Sequence, residues 1–401
     1  MKRTGAVIAG LAALFAAAAS AAAQEPSFEE WLQGFRAEAQ AAGIRADVLD
    51  QAFKDVRVND RVIELNDDQP EFARTVWDYL DGVLSEARVS TGREKFAENR
   101  SLLSLIETAY GVDSEIIAAI WGLESSYGAI MGDYDAIEAL ATLAWRGRRT
   151  AYGRSQLIGA LKILQNGYAD RDELKGSWAG AMGQTQFVPT TYLTYAVDHD
   201  GDGKRDLWSN LGDIFASTAN YLSASGYLQN DAWGLEVTLP VGFDYALADR
   251  SVRKPLAEWA ASGVAAAADG SLIGRFDPNA RARVLLPAGA DGPAFLTFEN
   301  FEAILKYNRS TAYALAVALL SERIAGRAGK IAAAWPRGDR ALTLAERKSL
   351  QQALKDRGYD PGPVDGVIGA GTKAALRRWQ RDHGFPADGY ASPAVREALA
   401  R

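Results

Sequence analysis

Cysteine is absent from all 401 residues. No disulfide can brace the fold, no thiolate can act as nucleophile or metal ligand, and no acylated cysteine can tether the chain as in a bacterial lipoprotein. Histidine is nearly as scarce, with His199 and His383 alone, so zinc sites and Ser-His-Asp chemistry are both short of parts. No glycine-rich phosphate loop follows a strand, and the net charge is −7. Neither a nucleotide nor a nucleic acid is therefore expected as a partner.

What is present is globular in character: 48% of residues are hydrophobic and 24% charged, enough apolar material for two or three domains. The opening "MKRTGAVIAGLAALFAAAASAAAQEP" sets Lys2 and Arg3 before an Ala-rich apolar run ending in Ala21-Ala22-Ala23. This reads as a cleaved signal peptide over residues 1–23, and the mature chain is expected to be soluble and periplasmic. From Phe28 to about Ile106 the pattern is helical, and residues 113–232 continue as helices broken by polar loops. Between 235 and 298 short apolar runs bounded by Pro and Gly predict a few strands around the helix "PLAEWAASG"; helix resumes from Phe301 to about Ala334. "WPRGDRAL" then has the composition of a linker.

One stretch raises a chemical question. In "IIAAIWGLESSYGAI", residues 116–130, Ile116, Ile117, Ile120 and Leu123 recur on one helical face, and Glu124 falls on that face too. A carboxylate among apolar side chains is costly unless it is paired, hydrogen-bonded or protonated. Two readings are open: a structural ion pair with Arg148 or Arg149, or a general acid whose pKa burial raises from about 4.3 toward neutrality.

Three ordered motifs separate the readings. "ESSYG" at 124–128 resembles the catalytic-Glu motif of lysozyme-like lytic transglycosylases; "GSWAGAMGQTQFVP" at 176–189 and "YNRSTAY" at 307–313 resemble further signatures of the membrane-bound lytic transglycosylase B family. The resemblance runs from about Phe28 to Trp335 and implies a mainly α, lysozyme-like α+β catalytic domain with a small inserted β region. It implies Glu124 as the sole catalytic acid and base, with Ser177 as its polar partner and Gln186 facing the substrate. It further implies Tyr307, Asn308 and Tyr313 closing the other side, and Arg148 and Arg149, with Tyr152 and Tyr221 nearby, as substrate-binding residues. Without it, Ser177, Gln186 and Asn308 read equally as caps or turn residues, and most aromatics as core.

The reaction so implied is cleavage of the bond between MurNAc and GlcNAc in peptidoglycan with formation of a 1,6-anhydro sugar. Ordinary glycosidases need a second carboxylate across the scissile bond. Asp133 and Asp135 are near in sequence, but no motif gives either that role, and Asp135 can cap the helix beginning at Ala136. A muramidase using Asp133 and a non-catalytic wall-binding scaffold stay open as alternatives. The implied partners are peptidoglycan glycan strands and other cell-wall enzymes.

No cofactor is expected to be required, though "DHDGDGKRDLWS", 198–209, has the start of an EF-hand loop. Asp198, Asp200 and Asp202 stand at the first, third and fifth positions, Gly203 at the sixth and Asp206 at the ninth. Ser209 replaces the bidentate carboxylate at the twelfth. A structural calcium site and a metal-free acidic turn are both compatible with this pattern.

The last segment shows two amphipathic helices around "VDGVIGAGT" and a short final helix. It resembles a three-helix peptidoglycan-binding module through Asp365, Gly366, Gly369, Thr372 and Gln380, with Thr372 a candidate helix cap. The expected division is a catalytic domain at 24–335, a linker at 336–342 and the small three-helix domain at 343–401.

Overall fold

Helix α1 (Phe28–Ala41) starts where Ser27 and Glu30 cap each other reciprocally: the Ser27 side chain accepts from the Glu30 amide, and Glu30 accepts from the Ser27 amide. The computed structural model describes residues 26–68, 74–272, 274 and 276–401. The expected leader at 1–23 lies outside them. No helix among the described residues is long and apolar enough to cross a membrane.

Five short helices follow: α2 (Ala46–Ala52), α3 (Asp60–Asp68), α4 (Val76–Val83), α5 (Glu86–Glu98) and α6 (Arg100–Tyr110). Of these, α5 and α6 pack on α7 (Ser114–Ser125), in which every residue from Ile116 to Gly122 is buried. After α7 come β1 (Tyr134–Asp135), α8 (Ala136–Trp145), α9 (Thr150–Gln165) and β2 (Lys175–Gly176). The two strands pair antiparallel with Tyr134 opposite Gly176. Then α10 (Pro189–Tyr195) and α11 (Leu211–Ala224) complete this part of the main core.

The period change near 235 marks the inserted sheet. Strands β3 (Gly234–Thr238), β4 (Lys254–Pro255), β5 (Ala265–Ala266), β6 (Arg281–Leu285) and β7 (Ala294–Thr297) run antiparallel in the order β4-β6-β7-β3-β5, with α12 (Leu256–Ala261) between β4 and β5. Leu256, Trp259, Val284 and Leu296 form a core separate from the helical one. Helices α13 (Glu299–Tyr307) and α14 (Thr311–Ile324) return to the main core.

Helix α14 stops at Ile324, well before the expected Ala334, and Gly326 turns the chain with φ +78°. The following segment is strapped down by partners distant in sequence. The Glu236 carboxylate accepts from the Ala332 and Ala333 amides at 2.7 Å each, Trp335 packs on Trp77 with centroids 5.9 Å apart, and Arg337 forks onto Asp81 at 2.7 and 3.2 Å. The segment read as a linker is thus pinned against α4.

Beyond it, α15 (Leu344–Asp356), α16 (Ala370–Asp382) and α17 (Pro393–Ala400) close on Leu350, Leu354, Leu376, Trp379 and Leu399. Gln351, 1% exposed, organises the "VDGVIGAGT" turn by accepting from the Gly366 amide at 2.7 Å and donating to the Val367 carbonyl at 3.0 Å. Thr372 is not a cap as expected: it lies inside α16, where its hydroxyl donates to the Pro361 carbonyl at 3.2 Å. The N-cap position belongs to Gly369. This module docks on the sheet region, where Arg377 pairs with Asp249 and the Ala290 amide donates to Asp388 at 2.8 Å. Gly289 stands at that contact with φ +73°, and a Cβ there would lie 2.8 Å from the Tyr390 Cβ. The mainly helical fold with an inserted β region and a three-helix end is the one expected.

Packing beneath α7 gives a test of its tightness. In a helix, Gly→Ala ordinarily gains about 1 kcal/mol, but a Cβ at Gly122 would meet the Tyr127 ring at 2.5–2.7 Å. That ring is buried and its hydroxyl is bonded to the Arg88 carbonyl at 3.1 Å. Gly122→Ala is expected to destabilise by about 1–3 kcal/mol, read from the urea midpoint; a stabilised variant would show that Tyr127 yields freely.

Candidate active site

Glu124 occupies the last turn of α7, and the chain leaves that helix through three consecutive left-handed residues, Ser126 (φ 51°), Tyr127 (φ 61°) and Gly128 (φ 84°). Two of them are not glycine, at a cost of about 1–3 kcal/mol each. Their turn is held by the Ser125 hydroxyl, which accepts from the Gly128 amide at 2.9 Å, and by Tyr127, which folds back edge-on to Trp121 at 5.4 Å. The motif "ESSYG" is therefore a strained stop that ends the helix directly beyond the carboxylate.

The carboxylate is half-buried, and among the described residues it makes no ion pair; its hydrogen bond comes from Tyr313, whose hydroxyl donates to Oε1 at 2.6 Å. The reading of Glu124 as partner of Arg148 or Arg149 is not what the structure has. Loss of water raises the Glu124 pKa to about 7, against the opposing hydrogen bond from Tyr313. The C-terminal dipole of α7 acts in the raising direction as well.

A row of tyrosines leads away from Glu124. Tyr313 is stacked parallel to Tyr307 with centroids 6.4 Å apart, Tyr307 lies 5.1 Å from Tyr221, and the Tyr307 hydroxyl donates to the Thr185 carbonyl at 2.5 Å. Burial first, then the Glu124 charge, raises the pKa of both Tyr307 and Tyr313 well above its ordinary value, so both hydroxyls stay protonated. Phe187 packs on Tyr221 and Tyr307 at 5.9 Å each and carries the row to the "GSWAGAMGQTQFVP" loop.

A second group gathers on that loop. Ser177 is half-buried and accepts from the Ala181 amide at 3.1 Å, Tyr152 donates to the Ala179 carbonyl at 2.9 Å, and the Arg149 guanidinium lies 5.9 Å from the Trp178 ring centre. Gln186, at φ 53°, donates to the Met131 carbonyl at 3.0 Å. Asn308 ends α13 and accepts from the Ser310 amide at 3.1 Å. Arg148 instead faces Asp365 of the C-terminal module. The Asp365 carboxyl is held low first by the Val367 amide, with Arg148 adding to it.

In the 198–209 loop, carboxylate oxygens of Asp198, Asp200 and Asp202 lie within 4.8 Å of one another. The Asp198 carboxylate accepts from the Gly201 and Gly203 amides at 2.7 and 2.8 Å, which folds the loop around it. Asp206 is outside this cluster; its carboxylate caps the turn by accepting from the Trp208 and Ser209 amides at 2.8 and 2.9 Å. An all-oxygen set of three convergent carboxylates suits a hard divalent cation of the calcium type.

Residues 27–322 match the family described as Transglycosylase SLT domain, and residues 343–399 match a peptidoglycan binding domain. The chain belongs to the lytic murein transglycosylase family. It is 31% identical over 298 residues to membrane-bound lytic murein transglycosylase B of Escherichia coli, covering 71% of this chain and 79% of that protein. Among solved structures it is similar to SltB3 from Pseudomonas aeruginosa in complex with NAG-anhNAM-pentapeptide. That match has 50% identity and a TM-score of 0.89, over 94% of this chain and all of the other. It also resembles the Escherichia coli lytic transglycosylase Slt35 in complex with calcium, at 29% identity and a TM-score of 0.63 over 73% of this chain and 92% of that one.

Two residues of this transglycosylase were not singled out in the sequence. Tyr79 on α4 lies close enough to Glu124 and Tyr313 for their charges to interact. Burial first, then the Glu124 charge, pushes the Tyr79 pKa up to about 12. Its helix carries no motif, so no local signal marks it. Gln184 is buried and accepts from Trp121 Nε1 at 2.6 Å while donating to the Trp208 carbonyl at 2.8 Å. It thereby ties the helix of Glu124 to the end of the acidic loop.

Burial of Glu124 has a thermodynamic consequence. Its carboxyl binds a proton more tightly folded (pKa about 7) than at its ordinary 4.5, so folding loses stability as pH rises through that interval and is unaffected below it. Glu124→Gln keeps an acceptor for Tyr313 and removes the penalty. The variant is expected to exceed the wild type by on the order of 2–3 kcal/mol above neutrality, with the gap closing as the solution is acidified. Urea unfolding across pH reads this directly; a gap independent of pH would contradict it.

Proposed function

We propose that this transglycosylase cleaves the β-1,4 bond between MurNAc and GlcNAc in peptidoglycan, with Glu124 as the only acid and base. The observation that carries the reading is a half-buried carboxylate of pKa about 7 without an ion-pair partner among the described residues. Such a group holds a proton at neutral pH and can take one back, which a single-residue cycle requires. Protonated Glu124 gives its proton to the glycosidic oxygen as the C1–O bond breaks, and the 2-acetamido group of MurNAc stabilises the cation. The carboxylate then accepts the proton of the C6 hydroxyl as that oxygen bonds to C1. A 1,6-anhydro sugar leaves, Glu124 is protonated again, and no water is consumed.

The other side chains take roles that suit this cycle. Tyr313 fixes Oε1 and leaves the second carboxylate oxygen for substrate. Tyr307 and Tyr221, whose rings are packed on Tyr313, on each other and on Tyr195, wall the site; Tyr152 with Ser177, Gln186, Asn308 and Arg149 supplies contacts for the sugars, Tyr79 joins them beside Glu124, and Arg148, facing Asp365, supplies none. The hydrolytic alternative lacks its second carboxylate: Asp135 caps α8 and pairs with Arg171, and Asp133 is exposed. Residues 24–335 form the catalytic unit, and 343–401, joined through 336–342, hold the wall and raise the local substrate concentration. The place of action is the periplasm, where that substrate lies and other cell-wall enzymes work on it.

Glu124→Gln is expected to lower release of soluble fragments from purified sacculi by about 10²–10⁴-fold, while Asp133→Asn leaves it unchanged. Loss of activity in Asp133→Asn would favour the hydrolase, and undiminished lysis by Glu124→Gln would overturn the assignment.

Asp198, Asp200 and Asp202 are proposed to hold a structural calcium ion, and no catalytic step passes through it. Calcium is expected to raise the melting temperature by several degrees, reversibly with chelator, and Asp198→Ala to abolish the shift. A shift that survives Asp198→Ala would place the ion elsewhere.

A further inference from the structure

Between α4, α14 and the segment that follows α14 lies a cavity that plays no part in the cycle above. Its volume is about 680 Å³, within the ordinary range of small-molecule sites, about 300–1,000 Å³. Leu80 and Leu84 of α4 and Leu319 of α14 supply the buried apolar part of its lining. The segment after α14 adds Ile331 and Trp335. That wall is preformed, because Glu236 holds the Ala332 and Ala333 amides and Trp335 packs on Trp77.

The charges in the lining are unbalanced. Arg323, Lys330 and Arg337 stand against Asp81 alone, and Arg337 already forks onto that carboxylate. Arg323 donates to the Gly329 and Leu84 carbonyls at 2.9 Å each and pairs with no carboxylate among the described residues. These neutral acceptors fix the guanidinium without cancelling its charge. Lys330 is exposed and likewise makes no ion pair among the described residues. Two cations thus go unneutralised in a chain whose net charge is −7.

This pairing of surfaces narrows the ligand. A neutral hydrocarbon would leave the two cations unused, and a small inorganic anion would leave the leucines and Trp335 unused. An anionic head on an apolar body uses both, through charge-assisted hydrogen bonds at one end and apolar burial at the other. We propose that this cavity binds a single-chain carboxylate amphiphile, with the chain against Leu80, Leu84, Leu319 and Trp335 and the carboxylate at Lys330 and Arg323. The site is separate from the one that holds Glu124 and does not depend on the reaction assigned to it.

Titration calorimetry of the whole protein with decanoate, kept below its micelle-forming concentration, is expected to show a single site. Shortening the chain to octanoate weakens binding about three- to tenfold, and a decyl chain with a trimethylammonium head does not bind. Lys330→Glu lowers the affinity for decanoate about tenfold, an effect that shrinks at high salt, whereas the chain-length effect persists. Lys330→Arg keeps the affinity. Ala333→Trp, which lines the cavity and fills it, abolishes binding. Lys330 and Ala333 are exposed, and an unchanged melting temperature of the variants without ligand shows that the fold survives. Absence of decanoate binding, affinity independent of chain length or head charge, or binding that survives both Lys330→Glu and Ala333→Trp overturns the proposal. So does binding to anionic phospholipid vesicles without binding of dissolved decanoate, since the cations would then read a membrane surface.

Discussion

A carboxylate with no counter-charge among the described residues, held by one tyrosine hydroxyl, is the constraint around which this protein is built. Glu124 accepts a hydrogen bond from the Tyr313 hydroxyl at 2.6 Å and, among the described residues, pairs with no cation. An arginine in that place would hold the carboxyl ionised at neutral pH and remove its capacity to donate a proton. The stability given up by keeping it near pKa 7 is what the proposed cycle uses, in which the carboxyl first gives and then accepts a proton.

The rest of the architecture keeps that carboxylate in place. The helix beneath it is buried along its length, and its end is fixed by the left-handed turn through Ser126, Tyr127 and Gly128. Gln184 locks Trp121 of that helix to the Trp208 carbonyl at the end of the acidic loop. The loop, whose Asp198 gathers backbone amides around itself, is thus connected to the helix that carries Glu124. On the opposite side, α14 presents Tyr313 from a buried stretch of its own. The site lies between two buried helices, α7 and α14.

How much of this was legible in the sequence depends on whether the signal was local. Glu124 was visible because the three- and four-residue spacing of Ile116, Ile117, Ile120 and Leu123 fixes its face on one helix. The Asp198, Asp200 and Asp202 pattern was equally local, and only Asp206, turned to the Trp208 and Ser209 amides, departs from the ligand role. Tyr307 and Tyr313 stood out through a motif resemblance and not through any periodicity. Tyr79, on an amphipathic helix without a motif, has no signature of its own, and Gln184, though it lies inside the 176–189 motif, shows its role only through Trp121 and Trp208, partners far from it in sequence. The same holds for the segment after α14: its Pro, Gly and charges announced a break in the helix but not the Arg337–Asp81 and Trp335–Trp77 contacts that pin it.

The central claim is that one carboxylate closes an intramolecular ring where a hydrolase would add water. It is tested most directly by digesting purified sacculi with the wild-type protein in oxygen-18 water and weighing the released muropeptides by mass spectrometry. The account predicts fragments lighter by one water than the reducing-end forms, with no heavy oxygen incorporated. Fragments with reducing ends that carry oxygen-18 would contradict it and require a second catalytic carboxylate.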